Sequence, residues 1–170
     1  MGSLQNITYG TVLGSDVVGH VQELNGPADV EVGDRVIVVP IYGWENDRRG
    51  PEGFAGSLGA SRAPGIGVFS EYYTTGLQNL VKVPEHLTDA EAAALPLAGV
   101  TAYRAVFTKG EVTEGLNVLI TGIGGGVALM ALKFAVAAKA NVYVTSSDDS
   151  KIQRAIELGA KGGVNYKEGK

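Results

Sequence analysis

The chain has 170 residues and a net charge of −4, with 45% hydrophobic and 19% charged residues. That balance fits a soluble globular protein, long enough for one compact domain or two thin ones. Cysteine is absent and only two histidines occur, His20 and His86, so disulfides, thiolate nucleophiles, Cys-based zinc sites and a three-histidine metal site are excluded within this sequence.

The acidic balance offers no footprint for nucleic acid, and no basic run suggests a membrane surface. Met1 to Asn6 reads neither as a signal peptide nor as a myristoylation site, and the most apolar stretch, Val118 to Leu132, falls short of a membrane span. A cytoplasmic protein acting on a small molecule is expected. The 25 glycines are about double the usual share of roughly 7%, which calls for many tight turns or close backbone approaches.

The first half reads as β. Thr11 to Leu24 suggests a bent strand interrupted by Gly14 and Gly19, and Asn25-Gly26-Pro27 a turn. Val32-Gly33-Asp34-Arg35 turns into the run Val36 to Val39, which Pro40 ends. Residues 41–68 form a long connection rich in Gly, Pro and charge, and such loops are commonly functional or disordered. Val68-Phe69, Tyr72 to Thr75 and Leu80 to Val83 resume β character.

The second half alternates helix and strand. Thr88-Asp89-Ala90-Glu91 is a capping box. The helix it opens breaks near Pro96, and another runs from Gly99 to about Lys109 with Gly110 as its left-handed stop. A strand at Val118 to Thr121, a glycine loop at Gly122 to Gly126 and a helix over Val127 to Ala138 follow. Next come a strand at Asn141 to Thr145, a helix over Ser147 to Leu158 stopped by Gly159, and the start of a third strand at Val164 to Tyr166.

Strand, glycine loop, helix and strand at this spacing form the opening βαβ of a dinucleotide-binding sheet. Glycines let the backbone approach a pyrophosphate, and the helix N-terminus supplies donors and positive potential. The alternative is an ordinary tight turn. The strict GxGxxG spacing fails at Val127, and Ala128 supplies the small residue for helix–strand packing. Gly122, Gly124, Gly125, Gly126, Val127 and Ala128 are thus candidate cofactor-binding residues.

At the tip of the second strand, NAD-binding sheets place a carboxylate for the ribose hydroxyl. Here the tip carries Ser146 and Ser147, with Lys151 one turn into the next helix. Hydroxyls plus a cation suit a 2′-phosphate, so NADP is expected ahead of NAD. Asp148 and Asp149 oppose this if they turn inward, but have an ordinary role in the first turn of the helix.

Taken in order, Gly14 to Gly19, Val32 to Val36, Val68 to Tyr72, Ala92 to Tyr103 and Gly125 to Ala128 resemble the medium-chain dehydrogenase/reductase superfamily. The likeness is strongest to its quinone-oxidoreductase-like, zinc-type alcohol-dehydrogenase-like branch. It implies an α/β chain with a β-rich part: a partial GroES-like β-barrel over residues 1–95, then the first half of a Rossmann doubly wound parallel sheet over residues 96–170. It also implies hydride transfer between a nicotinamide cofactor and a carbonyl or activated alkene, and places Thr101 near the nicotinamide and Tyr166 near the adenosine phosphate. A helix hydroxyl bonded to its own backbone and an edge-strand aromatic are the alternatives for these two.

Zinc members of the superfamily carry histidine where Ser15 stands, cysteine where Leu97 stands, and a four-cysteine lobe within 41–68. By that comparison this chain holds no such zinc. The resemblance also implies further barrel strands before this segment and further sheet strands after it. Without those, the strand at Val118 to Thr121 is a bare edge, and a homo-oligomer is expected. No catalytic residue stands out. Asp16 reads as a turn cap rather than a cleft acid, His20 and His86 as ordinary histidines, and Tyr42, Trp44 and Phe54 as pocket-lining or loop-pinning aromatics. The alternative to a reductase is a catalytically silent chain that binds nucleotide weakly or only self-associates.

Overall fold

The computed structural model describes residues 10–53, 55–60 and 67–168. They fall into two compact units, Met1–Leu97 and Ala98–Lys170.

The first unit is built from short antiparallel strands. β1 (Val18–His20) pairs with β2 (Arg35–Val38), opposing Gly19 to Val36. Gly33, at φ +93°, makes the turn before β2, where the Gly33 N–H donates to the Val21 carbonyl and the Val21 N–H donates to the Asp34 carbonyl. β3 (Ile41–Tyr42) pairs with β4 (Gly56–Ser57), and β5 (Leu80–Lys82) returns to the free side of β2. The alternation of β2 sends Val36 and Val38 inward to two small clusters, one with Val21 and Val30, the other with Leu58 and Val68.

The Arg35 guanidinium joins this sheet to α1 (Asp89–Ala93), donating to the Asp89 carboxylate at 3.0 Å and to the Leu87 carbonyl at 2.7 Å. The expected capping box is present, with Thr88 accepting from the Glu91 N–H while the Glu91 carboxylate accepts from the Thr88 N–H.

Several expectations for local structure are corrected. The strand expected over Thr11 to Leu24 shrinks to Val18–His20, because the Leu13–Gly14 backbone carbonyls instead accept from Phe69 and Val68. The 41–68 connection contains the β3–β4 ladder. Tyr72 to Thr75 forms no strand, since Ser70 and Tyr72 close a local turn through the Ser70 hydroxyl. Pro96 opens a helix rather than breaking one, as its missing N–H suits a first-turn position.

The second unit is entered along α2 (Pro96–Tyr103), which runs on as a π-helical segment, Arg104–Lys109. Gly110 is right-handed (φ −83°), and its N–H reaches the Ala105 carbonyl at 2.8 Å. The left-handed residue is Glu111 (φ 46°) instead. Gly110 is required by close approach, because a Cβ there would sit 2.9 Å from the Ala105 oxygen.

β6 (Asn117–Ile120), α3 (Gly126–Ala137), β7 (Asn141–Ser146), α4 (Asp149–Glu157) and β8 (Gly162–Asn165) then form a parallel sheet in the order β6-β7-β8. Leu132, Val142 and Val144 are fully buried in one core that also holds Ala135, Ile152 and Ala155. Gly159, left-handed at φ 107°, stops α4 as expected. Leu119, Tyr143 and Val164 project from the opposite sheet face and are exposed. Among the described residues β6 pairs with β7 alone.

Candidate nucleotide-binding site

The site is assembled where β6 passes through the glycine loop into α3. Gly122 and Gly124 have φ of +67° and +118°, a backbone that residues with a Cβ adopt at a cost. A Cβ on Gly122 would meet no atom within 4 Å, so its side faces open space. The N-cap of α3 is Gly125, which offers no side-chain oxygen to the first N–H groups of the helix. Those donors, at Gly126, Val127 and Ala128, are the part of the loop suited to an anion.

Two neighbours hold the loop. Thr145, near the end of β7, accepts the Gly122 N–H on its hydroxyl at 3.3 Å and the Ile123 N–H on its carbonyl at 2.9 Å. Sequence reasoning missed Thr145. Its only signal was a hydroxyl at a strand end that topology brings beside the loop. Ala98 of α2 lies 3.5 Å from where a Cβ on Gly126 would stand, so α2 abuts the start of α3. Thr101 stands one turn further along α2, exposed.

The tip of β7 carries the remaining candidates. Ser146 is buried; its hydroxyl accepts the Asp148 N–H at 3.2 Å and its carbonyl accepts the Tyr166 N–H at 3.0 Å. Ser147 is half-buried in the turn, and the Tyr166 ring is exposed. Asp148 caps α4, accepting the Ser150 N–H at 2.9 Å and the Ser150 hydroxyl at 2.6 Å. The Ser150 hydroxyl and N–H, with the Lys151 charge nearby, hold the Asp148 carboxyl below its ordinary value. Asp149 accepts from the Asn165 amide at 3.2 Å. Both carboxylates are thereby engaged within their own turn and strand.

Lys151 reaches back to the glycines. Its Cδ lies 2.9 Å, and its ammonium 3.7 Å, from where a Cβ on Gly124 would be. A cation thus stands beside Gly124, and the end of β7 meets the same loop through Thr145. This arrangement offers an anion backbone donors and an opposite charge.

The positions compared with zinc ligands do not suit that metal. The Ser15 hydroxyl donates to the Leu58 carbonyl at 2.5 Å, and Leu97 contributes an apolar side chain whose backbone N–H goes to Asp16 at 2.8 Å. Asp16 therefore caps the start of α2 across 81 residues of sequence. Among the described residues no three His, Asp or Glu side chains cluster as a metal site. His20 and His86 are exposed. Trp44 donates its indole N–H to the Asp47 carbonyl at 2.7 Å, and Tyr42 packs on the cluster around Val38. Phe54 lies outside the described residues.

No helix among the described residues is long and apolar enough to cross a membrane. The model of the alcohol dehydrogenase GroES-like domain matches residues 1–85. The zinc-type alcohol dehydrogenase-like protein YogA of Leptosphaeria maculans is 43% identical over 162 residues, covering 90% of this chain and 45% of that protein. An acryloyl-coenzyme A reductase of Metallosphaera sedula is 36% identical over 155 residues, covering 87% of this chain and 46% of that protein. Among solved structures, an NAD-dependent alcohol dehydrogenase superposes with a TM-score of 0.84 at 32% identity, over 95% of this chain and 48% of that one. The quinone oxidoreductase of Pseudomonas syringae gives 0.73 at 27% identity, over 96% of this chain and 44% of that one. The chain spans about half the length of the curated relatives it matches.

Proposed function

The chain belongs to the medium-chain dehydrogenase/reductase superfamily, a family of oxidoreductases, and from that premise we propose that it serves NADP(H)-dependent reduction of a small carbonyl, enone or quinone without zinc. Residues 1–95 are the catalytic-domain portion in this reading, and residues 96–170 the nucleotide-binding portion. The observation that carries it is the glycine cradle at Gly122 to Gly126 with Lys151 laid against Gly124.

Each candidate residue has a role in this reading, those of Thr101 and Tyr166 resting on the family resemblance. The N–H groups of Gly126, Val127 and Ala128 hold the pyrophosphate at the helix N-terminus, Gly122 keeps a side chain out of its way, and Gly124 makes room for the Lys151 stem. Lys151, Ser146, Ser147 and Tyr166 read the adenosine phosphate, and Thr101 lines the nicotinamide side. When bound, the nicotinamide supplies the hydride. Preference for NADP over NAD is supported by the strand tip, where hydroxyls stand in place of a ribose-binding carboxylate and both aspartates are turned to capping and strand contacts. The similarity to an acryloyl-coenzyme A reductase and to quinone oxidoreductases supports an activated alkene or quinone as substrate. The absence of zinc is supported by Ser15 and Leu97 at the compared positions.

A second reading, a catalytically silent chain that binds nucleotide weakly or only self-associates as a homo-oligomer, is favoured by one observation. The β6 edge and its exposed Leu119 invite pairing with another chain. NADPH oxidation with a quinone and with an enone, each repeated with a zinc chelator, separates the readings. Turnover indifferent to chelator is expected. A chain that binds NADPH without turnover belongs to the second reading, and turnover abolished by chelator contradicts the zinc-free assignment.

A further inference from the structure

The loop between β3 and β4 contains a feature that the nucleotide site does not use. Three successive backbone N–H groups, those of Glu45, Asn46 and Asp47, converge on the single carboxylate of Glu52. Glu45 donates to Oε2 at 3.0 Å, and Asp47 donates to Oε1 at 2.7 Å beside Asn46 on the same oxygen. Consecutive N–H groups turned to one point form a backbone nest, a concavity that binds anions through fixed partial charges. Here the anion is tethered seven residues from the first donor.

The surrounding side chains tighten the same turn. Trp44 donates its indole N–H to the Asp47 carbonyl at 2.7 Å. Arg49 binds the Asp47 carboxylate twice, at 3.2 Å through Nε and at 3.0 Å through Nη2, while its backbone N–H reaches the same group at 2.8 Å. The Asp47 carboxylate is thus engaged with Arg49, while the Asp47 N–H faces Glu52. No cysteine is available to organise the loop by a disulfide or thiolate-bound metal.

We propose that residues 45–47 are a carboxylate-binding cup whose resident ligand is the Glu52 side chain, and that this tethered anion, rather than a metal or an apolar core, fixes the loop and the indole it carries. A cup emptied of its side chain should accept a free small carboxylate, formate or acetate, in its place. The inference stands apart from the nucleotide site, because every residue in it belongs to the first unit.

The chain has one tryptophan, Trp44, so its emission reports this loop without interference. The test compares the full chain with Glu52→Ala, with the near-isosteric Glu52→Gln and with the same-loop control Glu45→Gln. Readouts are Trp44 quenching by acrylamide and cleavage at Arg48 and Arg49 by trypsin. Glu52→Ala should expose Trp44 and speed cleavage about tenfold, since charge-assisted bonds dominate the loop. Formate should reverse both effects saturably, chloride at equal ionic strength should not, Glu52→Gln should fall between, and Glu45→Gln should match the parent chain. Unchanged quenching and cleavage in both Glu52 variants overturn the proposal, as does an effect that formate and chloride reverse equally. If Glu52→Ala fails to fold, Glu52→Gln decides: parent-like cleavage contradicts the cup and faster cleavage supports it.

Discussion

Lys151 is exposed, and its long side chain is free to follow a ligand, yet its stem lies against Gly124 and its ammonium beside the glycine loop. A cation there interacts with phosphate much more strongly than with a ribose hydroxyl. Lys151→Ala should therefore weaken NADPH binding roughly tenfold or more and NADH binding by no more than about twofold, on the scale of one charge-assisted contact. Equal losses for the two nucleotides in a calorimetric titration would remove Lys151 from the 2′-phosphate site.

Asp148 carries the pH dependence of the same strand tip. Its carboxyl is lowered first by the Ser150 hydroxyl, then by the Ser150 N–H. Because the folded value is depressed, this cap stabilises α4 at pH values above the ordinary carboxylate range. That stabilisation is lost as pH falls through the lowered value. Helicity followed by circular dichroism should decline with acid in the parent chain, and Asp148→Asn should remove part of that acid sensitivity. Glu52 behaves in the same sense: backbone donors hold it at about 2, so its loop should stay closed at mildly acidic pH and open only near that value.

At the level of elements, the helix ends bear strain and caps that predict signs. Lys139 takes a left-handed conformation (φ 59°) just past α3, and its ion pair to Glu114 is exposed and 3.4 Å long. Exposed pairs of this kind contribute little, whereas a side chain in the left-handed region costs about 1 kcal/mol or more. Lys139→Gly should therefore stabilise the chain, by about 0.5 kcal/mol once glycine's backbone entropy is included, and a lower melting temperature would contradict this. Gly159→Ala should do the opposite, because its φ is 107° and a Cβ would sit 2.8 Å from Val136 Cγ1. A loss of about 1–3 kcal/mol is expected.

The elements also divide by how readable they were. In the second unit each strand is a short apolar run, each helix is bounded by a glycine or a cap, and each parallel pairing joins neighbours in sequence. Local signals sufficed there. In the first unit β2 finds β5 across more than 40 residues, with Val36 opposite Lys82. Its strands are two to four residues long, so periodicity had little to act on. The π-helical turn at Arg104–Lys109, beside the ring contacts of Phe134 with Tyr103 and Phe107 at 5.9 and 6.0 Å, was announced by no local pattern. The glycines of the candidate site were legible as a motif. The placement of Lys151 against Gly124, the Thr145 anchor and the Glu52 cup needed the fold.

For the whole molecule, the two units differ in how they are stabilised. Among the described residues the first has two clusters of three buried residues each. The second has one continuous core centred on Leu132, Val142 and Val144. Unfolding should accordingly depart from two-state behaviour, with the first unit melting at the lower temperature. Leu132→Ala, which empties a fully buried site, should cost about 2–5 kcal/mol in the upper transition and leave the lower one in place. Saturating NADPH should raise only the upper transition, because a ligand stabilises the unit that binds it.

Calorimetric titration of the folded 170-residue chain with NADPH and with NADH tests the central claim most directly. Saturable binding of NADPH, tighter than NADH and reduced by Lys151→Ala, is the predicted result. No binding by a chain with intact secondary structure, or NADH bound as tightly as NADPH, would contradict the account.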